Sequence, residues 1–319
     1  MVLLVVVEMS EFTAPGETAA ADNSELPTNE LIATPHTLLL ESSNFKLVCA
    51  HEEMNPRRRN TMEDVHRIVS SLPGAPEYSY FGVYDGHGGR QIVDYLEEGL
   101  EANVSNELQQ QDEAPVLERL TRAFLITDMH SRRLNITTSG ATAVVAMVKT
   151  TFSAEREVAS KMLYVANVGD SRAVLAMSDP SSSSGYLARR LTYDHRAEDE
   201  GEQRRIKDAG GFITRGRVLG ILAVSRSFGD HGMKDFVTAE PYTTETNLLT
   251  CAPDGSTNCP ILILACDGVW DVLSDQEAVD LVLHHYKEQG PNAAAAKLLV
   301  DTAIEKGSAD NITAIVCFL

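Results

Sequence analysis

Residues 78–100 read YSYFGVYDGHGGRQIVDYLEEGL. Apart from Ser79, the first seven positions are aromatic, aliphatic or glycine and read as a strand. After the glycines, Ile92, Tyr95, Leu96 and Leu100 recur at three- and four-residue steps, the period of a helix packed on one face. Between the two lies Asp85-Gly86-His87-Gly88-Gly89. Asp-Gly after a strand is the commonest hairpin signal, because glycine accepts positive φ and aspartate caps its own turn. The stretch therefore predicts a strand, a tight turn at Asp85-Gly86 and a helix over 90–108. A carboxylate, an imidazole and three glycines in five residues also suit close approach to a ligand.

The rest of the chain repeats these elements without alternating them. FKLVCA (45–50), ATAVVAMV (141–148), MLYVANV (162–168), RAVLAM (172–177), ILILACD (261–267) and ITAIVCF (312–318) are short strand-like runs bounded by Gly, Asp, Asn and Pro. Helical spacing recurs at Val116, Leu117, Leu120 and Phe124. Ser274-Asp-Gln-Glu277 is a capping box that opens a helix through His285, and a further helix lies between Pro291 and Gly307. EDEGEQRRIKDAGG (198–211) is a polar helix stopped by glycines, and SDPSSSSG (178–185) is a surface loop. Strand runs and paired helices in this order predict an α+β layered fold with mostly antiparallel sheets, not a doubly wound one.

Composition narrows the function classes. With 27 Lys+Arg against 46 Asp+Glu, the 319-residue chain carries a formal charge of -19, which removes counterion release from nucleic acid as a source of affinity. A hard divalent cation is the more natural partner. MVLLVVVEMS at the start has no preceding basic residue and is interrupted by Glu8, so it fits neither a signal peptide nor a membrane span. The five cysteines are odd in number and lack any CxxC, which suggests reduced core thiols in a cytoplasmic or nuclear protein. Residues 1–43 read as a largely disordered extension, rich in Glu, Thr, Ala, Pro and Ser from residue 8 onward, and 44–319 as one domain.

Carboxylates mark the strand ends. Asp85, Asp170 and Asp267 close apolar runs, and Asp310 lies just before the last one, separated from it by Asn311. Any one of these alone is an ordinary turn residue or cap. Four in one domain, without matching basic neighbours in sequence, would repel one another unless a cation neutralised them. All-oxygen ligation points to Mg²⁺ or Mn²⁺. The chain has no GxxxxGK[ST], HExxH, GxSxG or EF-hand spacing, and no cysteine followed six residues later by arginine.

RNTMEDVH (59–66), YDGHGG (84–89), SGATAVVA (139–146), VANVGDSRAVL (165–175), LTYDH (191–195), RIKDAGG (205–211), LAVSRSFGD (222–230), ACDGVWDVLSDQE (265–277) and SADNITAIV (308–316) occur in this order. From about residue 45 to the end, the chain resembles the metal-dependent protein phosphatases of type 2C, most closely their compact fungal and protist members. The resemblance implies a four-layer α-β-β-α sandwich, two central antiparallel sheets flanked by helices. It also implies two Mg²⁺ or Mn²⁺ ions. Asp85 would bridge them, Gly86 would offer its carbonyl oxygen, Asp267 and Asp310 would bind the second ion, and Glu63 would act through water. His87 matches the proposed general acid and Arg59 the phosphate-gripping arginine. Asp170 and Asp271 match positions that hold a weaker third ion in some relatives, whereas Thr142, Asn167, Arg226 and Asn311 read as support and Trp270 as core.

The implied reaction is hydrolysis of phosphoserine or phosphothreonine in proteins by a hydroxide bridging the two ions, without a phosphoenzyme. The implied partners are phosphorylated proteins, stress-activated kinases among them by likeness to those compact members, and the chain is expected to act as a monomer. The alternative is a catalytically silent adaptor for a kinase complex. Relatives of that kind lose metal ligands, whereas Asp85, Gly86, Asp267 and Asp310 are all present here. In this family a variable flap near the cleft helps choose substrates, and the link over residues 231–239 is short.

Overall fold

A computed structural model describes residues 36–40, 42–155, 157–179, 181–182, 184–250 and 261–319. In chain order the strands are β1 (His36–Leu40), β2 (Leu47–Glu53), β3 (Asp64–Val69), β4 (Tyr78–His87), β5 (Gly140–Phe152), β6 (Val158–Val168), β7 (Arg172–Ser178), β8 (Tyr186–Arg190), β9 (Ile213–Thr214), β10 (Arg217–Val218), β11 (Phe228–Gly229), β12 (Tyr242–Asn247), β13 (Ile261–Ala265) and β14 (Ile312–Phe318). The helices are α1 (Gln91–Leu108), α2 (Val116–Arg133), α3 (Glu200–Asp208), α4 (Asp267–Trp270), α5 (Asp275–Gln289) and α6 (Ala294–Glu305).

Two sheets carry the fold. One has the order β1-β2-β14-β13-β7-β8, the other β12-β6-β5-β4-β3 with β11 added beside β5. Every ladder between these strands is antiparallel. Period-two alternation divides each strand between two cores. In β14, Ile312, Ala314, Val316 and Phe318 pack under α4, α5 and α6, while Ile315 and Cys317 face the other sheet. In β4, Tyr78, Tyr80 and Tyr84 pack under α1 and α2, while Phe81 and Val83 face the first sheet. Each fully buried Leu, Ile, Val or Phe contributes about 1.5–3 kcal/mol relative to exposure, so three stacked cores fasten the layers together. The result is the expected four-layer α-β-β-α sandwich.

The capping box forms as read: Ser274 accepts from the Glu277 amide, and the Glu277 carboxylate takes the Ser274 N–H. The helix it opens continues past His285 to Gln289. Trp270 is buried and donates Nε1–H to the Ala265 carbonyl (2.9 Å), and Cys49, Cys266 and Cys317 are buried, as core residues should be.

Two expectations change. Asp85-Gly86 is not a hairpin turn: β4 runs straight through it, with Asp85 paired to Thr142, Gly86 to Ala141 and His87 to Gly140. The chain reverses at Gly88 and Gly89, both at positive φ (70° and 113°). Cross-strand pairing with β5 overrides the local turn preference. The N-terminal extension also reaches into the fold, because β1 pairs with β2 from His36 to Leu40. Residues 1–35 lie outside the described residues. Among the described residues no helix is long and apolar enough to cross a membrane.

Candidate active site

The same alternation that builds the inter-sheet core delivers carboxylates to its rim. On β4 the side chains facing the other sheet are Phe81, Val83 and then Asp85; on β13 they are Leu262 and Leu264, followed beyond its end by Cys266 and then Asp267. Apolar side chains stop where the sandwich opens, and acidic ones begin. Asp64, at the start of β3, stands directly across the ladder from Asp85. Like charges in that position destabilise a sheet unless something compensates them. Oxygens of Asp64 and Asp85 and the Cys266 sulfur all lie within 4.8 Å of one another.

These carboxyls are strongly perturbed. Burial, then the charge of Asp267 and Asp64, holds the Asp85 carboxyl well above its ordinary range. Burial and the charges of Asp170 and Asp310 do the same to Asp267. Asp64 is pushed up to about 7, by burial first, although hydrogen bonds from Thr313 and Cys266 pull the other way. Thr313 Oγ1 donates to Asp64 Oδ2 at 2.8 Å. Among the described residues, neither the Asp85 nor the Asp267 side chain has a hydrogen-bond or ion-pair partner.

The cavity at this rim has a volume of about 320 Å³ and is lined by Arg59, Glu63, Asp85, Gly86, His87, Asp170, Asp267 and Asp310. Asn311 joins its walls: its Oδ1 accepts the Glu63 N–H (2.8 Å), and its Nδ2 donates to the Met54 and Thr61 carbonyls (both 2.9 Å). Asn55 pins the arginine loop to the last acidic loop through the Ser308 and Asp310 carbonyls. Gly86 allows close approach, since a Cβ there would lie 2.5 Å from the Glu63 carbonyl oxygen. Arg59 is paired with Asp310, and His87 Nε2 lies 2.9 Å from Asp230 Oδ2.

Asp271 does not line this cavity. It opens on an adjacent depression with Arg172 and Trp270. Arg196 stands between it and Asp170, 2.9 Å from Asp271 and 3.5 Å from Asp170, and partly offsets the burial that lifts the Asp170 carboxyl to about 6. None of residues 231–239 lines the cavity; the link packs on α2, through His231 to Ser131 and Lys234 to Asp128. On that side Arg217 and Leu222, Ala223 and Val224 line the cavity instead.

The model of the family described as protein phosphatase 2C matches residues 50–312. The chain belongs to the protein phosphatase 2C family. Protein phosphatase 2C homolog 1 of Saccharomyces cerevisiae is 36% identical over 275 residues, covering 84% of this chain and 92% of that protein. The protein of the same name in Schizosaccharomyces pombe is 35% identical over 266 residues, covering 83% of this chain and 71% of that one. Among solved structures, serine-threonine phosphatase 2C from Toxoplasma gondii shares the fold at a TM-score of 0.70 and 21% identity, covering 89% of this chain and 98% of that one. Membership of this family, with these two yeast relatives, indicates a protein serine/threonine phosphatase.

Phosphatases of this family are metal-dependent, and the donor set here fits hard divalent ions. It consists of carboxylates and a backbone carbonyl, and among the described residues neither Asp85 nor Asp267 forms an ion pair. Asp64 lies beside Asp85 without lining the cavity, and reading the sequence did not single it out. Its signal was the alternation in DVHRIV, where Ile68 faces the inter-sheet core and Asp64 therefore shares its face.

Proposed function

We propose that the chain is a metal-dependent protein serine/threonine phosphatase whose two ions are held by Asp85, the Gly86 carbonyl, Asp267 and Asp310, with Glu63 acting through water. The observation that carries this reading is the meeting at one cavity of Asp85 and Asp267, at the ends of strands of the two sheets and unpaired among the described residues, with Asp170 and Asp310. When bound, two Mg²⁺ or Mn²⁺ ions supply positive charge for the phosphoryl oxygens and ready a water for attack.

The chain's own residues do the rest. Phosphomonoester hydrolysis is among the slowest uncatalysed reactions, so position and proton delivery both matter. Arg59, on the cavity wall, offers a planar fork suited to two phosphate oxygens. His87 gives a proton to the departing serine or threonine oxygen, a role worth about 10²–10⁴-fold. Asp64 sits behind Asp85 and, through Thr313, fixes that strand pair against β14. A weaker third ion between Asp170 and Asp271 would take the place of Arg196. Phosphorylated proteins are the substrates of this reading, and residues 44–319 its catalytic domain.

The net charge of -19 does not oppose phosphate binding. Surface charge is screened beyond about 8 Å in physiological salt, so the local charge of the loaded site dominates. Phosphate release from a phosphothreonine peptide tests the proposal. Turnover with Mn²⁺ that chelator abolishes supports it; equal turnover in both removes the metal, and none in either removes the enzyme.

A further inference from the structure

Behind His87, outside the cavity lining, lies a carboxylate held in an uncommon backbone conformation. Gly229 and Asp230 are consecutive left-handed residues, with φ of 67° and 48°. A non-glycine residue there is strained, and such positions persist where the surroundings enforce them. Here Asp128 Oδ1 accepts the Gly229 N–H (2.9 Å) and the Ser139 carbonyl accepts the Asp230 N–H (3.1 Å). Lys234 braces the turn from below, bonding the Ser227 carbonyl (2.8 Å) and Asp128 (2.9 Å).

This bracing aims the Asp230 side chain at one atom. His87 Nε2 lies 2.9 Å from Oδ2 and 3.1 Å from Oδ1, and Ser227 Oγ donates to Oδ2 at 2.5 Å. Asp230 is 10% exposed and His87 33%, so the carboxylate is the inner member of the pair. Burial works against its charge, yet the bond to His87 keeps its carboxyl below the ordinary range. Gly140 makes room for the pair: a Cβ there would fall on the Asp230 carboxylate and on His87 Nε2.

We propose that Asp230 is a positioning residue for His87, holding the ring through Nε2–H so that Nδ1 delivers the proton to the leaving oxygen. The proposal rests on reading His87 as the general acid. An ionised carboxylate only accepts hydrogen bonds, so Nε2 keeps its hydrogen whether the ring is charged or neutral. In the reaction the Nδ1–H bond breaks as the O–H bond of the serine or threonine product forms. The ring is left neutral with hydrogen on Nε2, and Nδ1 regains a proton from solvent before the next turnover. Asp230 itself is not part of the cavity lining.

Asp230→Asn keeps the size of the side chain and suits the left-handed backbone, since asparagine tolerates that region. It should lower kcat on a phosphothreonine peptide roughly ten- to a hundredfold, within the range of general-acid effects. KM and the Mn²⁺-dependent turnover of p-nitrophenyl phosphate, whose leaving group departs without a proton, should stay within about twofold. In the His87→Gln background the same change should do nothing more to peptide turnover, because the two act as one unit. Ring ¹⁵N NMR of the wild type, assigned with His87→Gln, should show the His87 tautomer with hydrogen on Nε2. Equal losses on both substrates, an unchanged peptide kcat while His87→Gln is slow, or hydrogen on Nδ1 in the neutral ring would each overturn the proposal. If His87→Gln itself leaves peptide turnover intact, the acid role fails first and takes the positioning role with it.

Discussion

Arg59 Nη2 is bonded to Asp310 Oδ2, so the residue assigned to phosphate holds one assigned to metal. Its Nε also donates to the Ala309 carbonyl at 3.3 Å. In the proposed site an entering ion would compete with this guanidinium, and its binding would free Arg59 for phosphate. Pairs this exposed contribute about 0–1 kcal/mol, so the competition is mild.

Arg59→Ala should therefore bind Mn²⁺ slightly more tightly, by about two- to fivefold, while KM for a phosphopeptide rises. Calorimetric titration with Mn²⁺ checks the first half and steady-state kinetics the second. Weaker Mn²⁺ binding in the variant would contradict the competition.

The perturbed carboxyls predict a pH-dependent response to metal. Asp64 is raised from 3.8 to about 7 in the folded, metal-free chain. The folded state thus binds this proton more tightly than the unfolded one, and the associated stability is present below about pH 4 and lost as pH rises towards 7. Ions require the deprotonated groups. The rise in Tm caused by Mn²⁺ should be small near pH 5 and grow towards pH 7.5, reaching several degrees, roughly 2–6 °C. A shift independent of pH would show that these groups are not linked to the metal.

Away from the cavity, Glu202 on α3 organises the flank of the site. Its Oε1 accepts from Arg226 Nη2 (2.7 Å), and its Oε2 from Arg205 Nη2 (2.9 Å) and Ser225 Oγ (2.8 Å). Burial opposes its ionisation, but the bonds from Arg226 and Ser225 and the charge of Arg205 hold its carboxyl down at about 2. A depressed carboxyl contributes stability above about pH 4.5 that is lost as pH falls towards 2. Glu202→Gln should cost about 2 kcal/mol at pH 7 in denaturant unfolding, with the gap to wild type narrowing in acid. A gap that stays constant to pH 3 would remove the ionic account.

Local chemistry was legible in the sequence where it agreed with tertiary structure. The Ser274 capping box, the glycine stop after α3 and the apolar strands β13 and β14 formed as expected. Edge strands were not legible: β12 (YTTETN) and β8 (YLARR) are largely exposed, so no alternating apolar face announces them. At Asp85-Gly86 the dipeptide argued for a turn, but only long-range pairing with β5 decides that the strand continues. The carboxylates proposed to hold the metal stood out because each follows or precedes an apolar run. Asp64 did not, because it follows Glu63 in a polar stretch and its role depends on register with Asp85. Asp230 was hidden for a similar reason, since His87 is 143 residues away in the chain.

The central claim is that carboxylates from the two sheets form one metal site that drives phosphate release. Mn²⁺ titration followed by calorimetry and by phosphothreonine-peptide turnover, on the wild type, Asp85→Asn and Asp267→Asn, tests it most directly. Wild type should bind Mn²⁺ and gain activity in step with binding. Both variants should stay folded, bind Mn²⁺ at least tenfold more weakly and lose turnover at metal concentrations that saturate the wild type. Variants that bind Mn²⁺ as wild type does, or that hydrolyse the peptide at the wild-type rate, would contradict it.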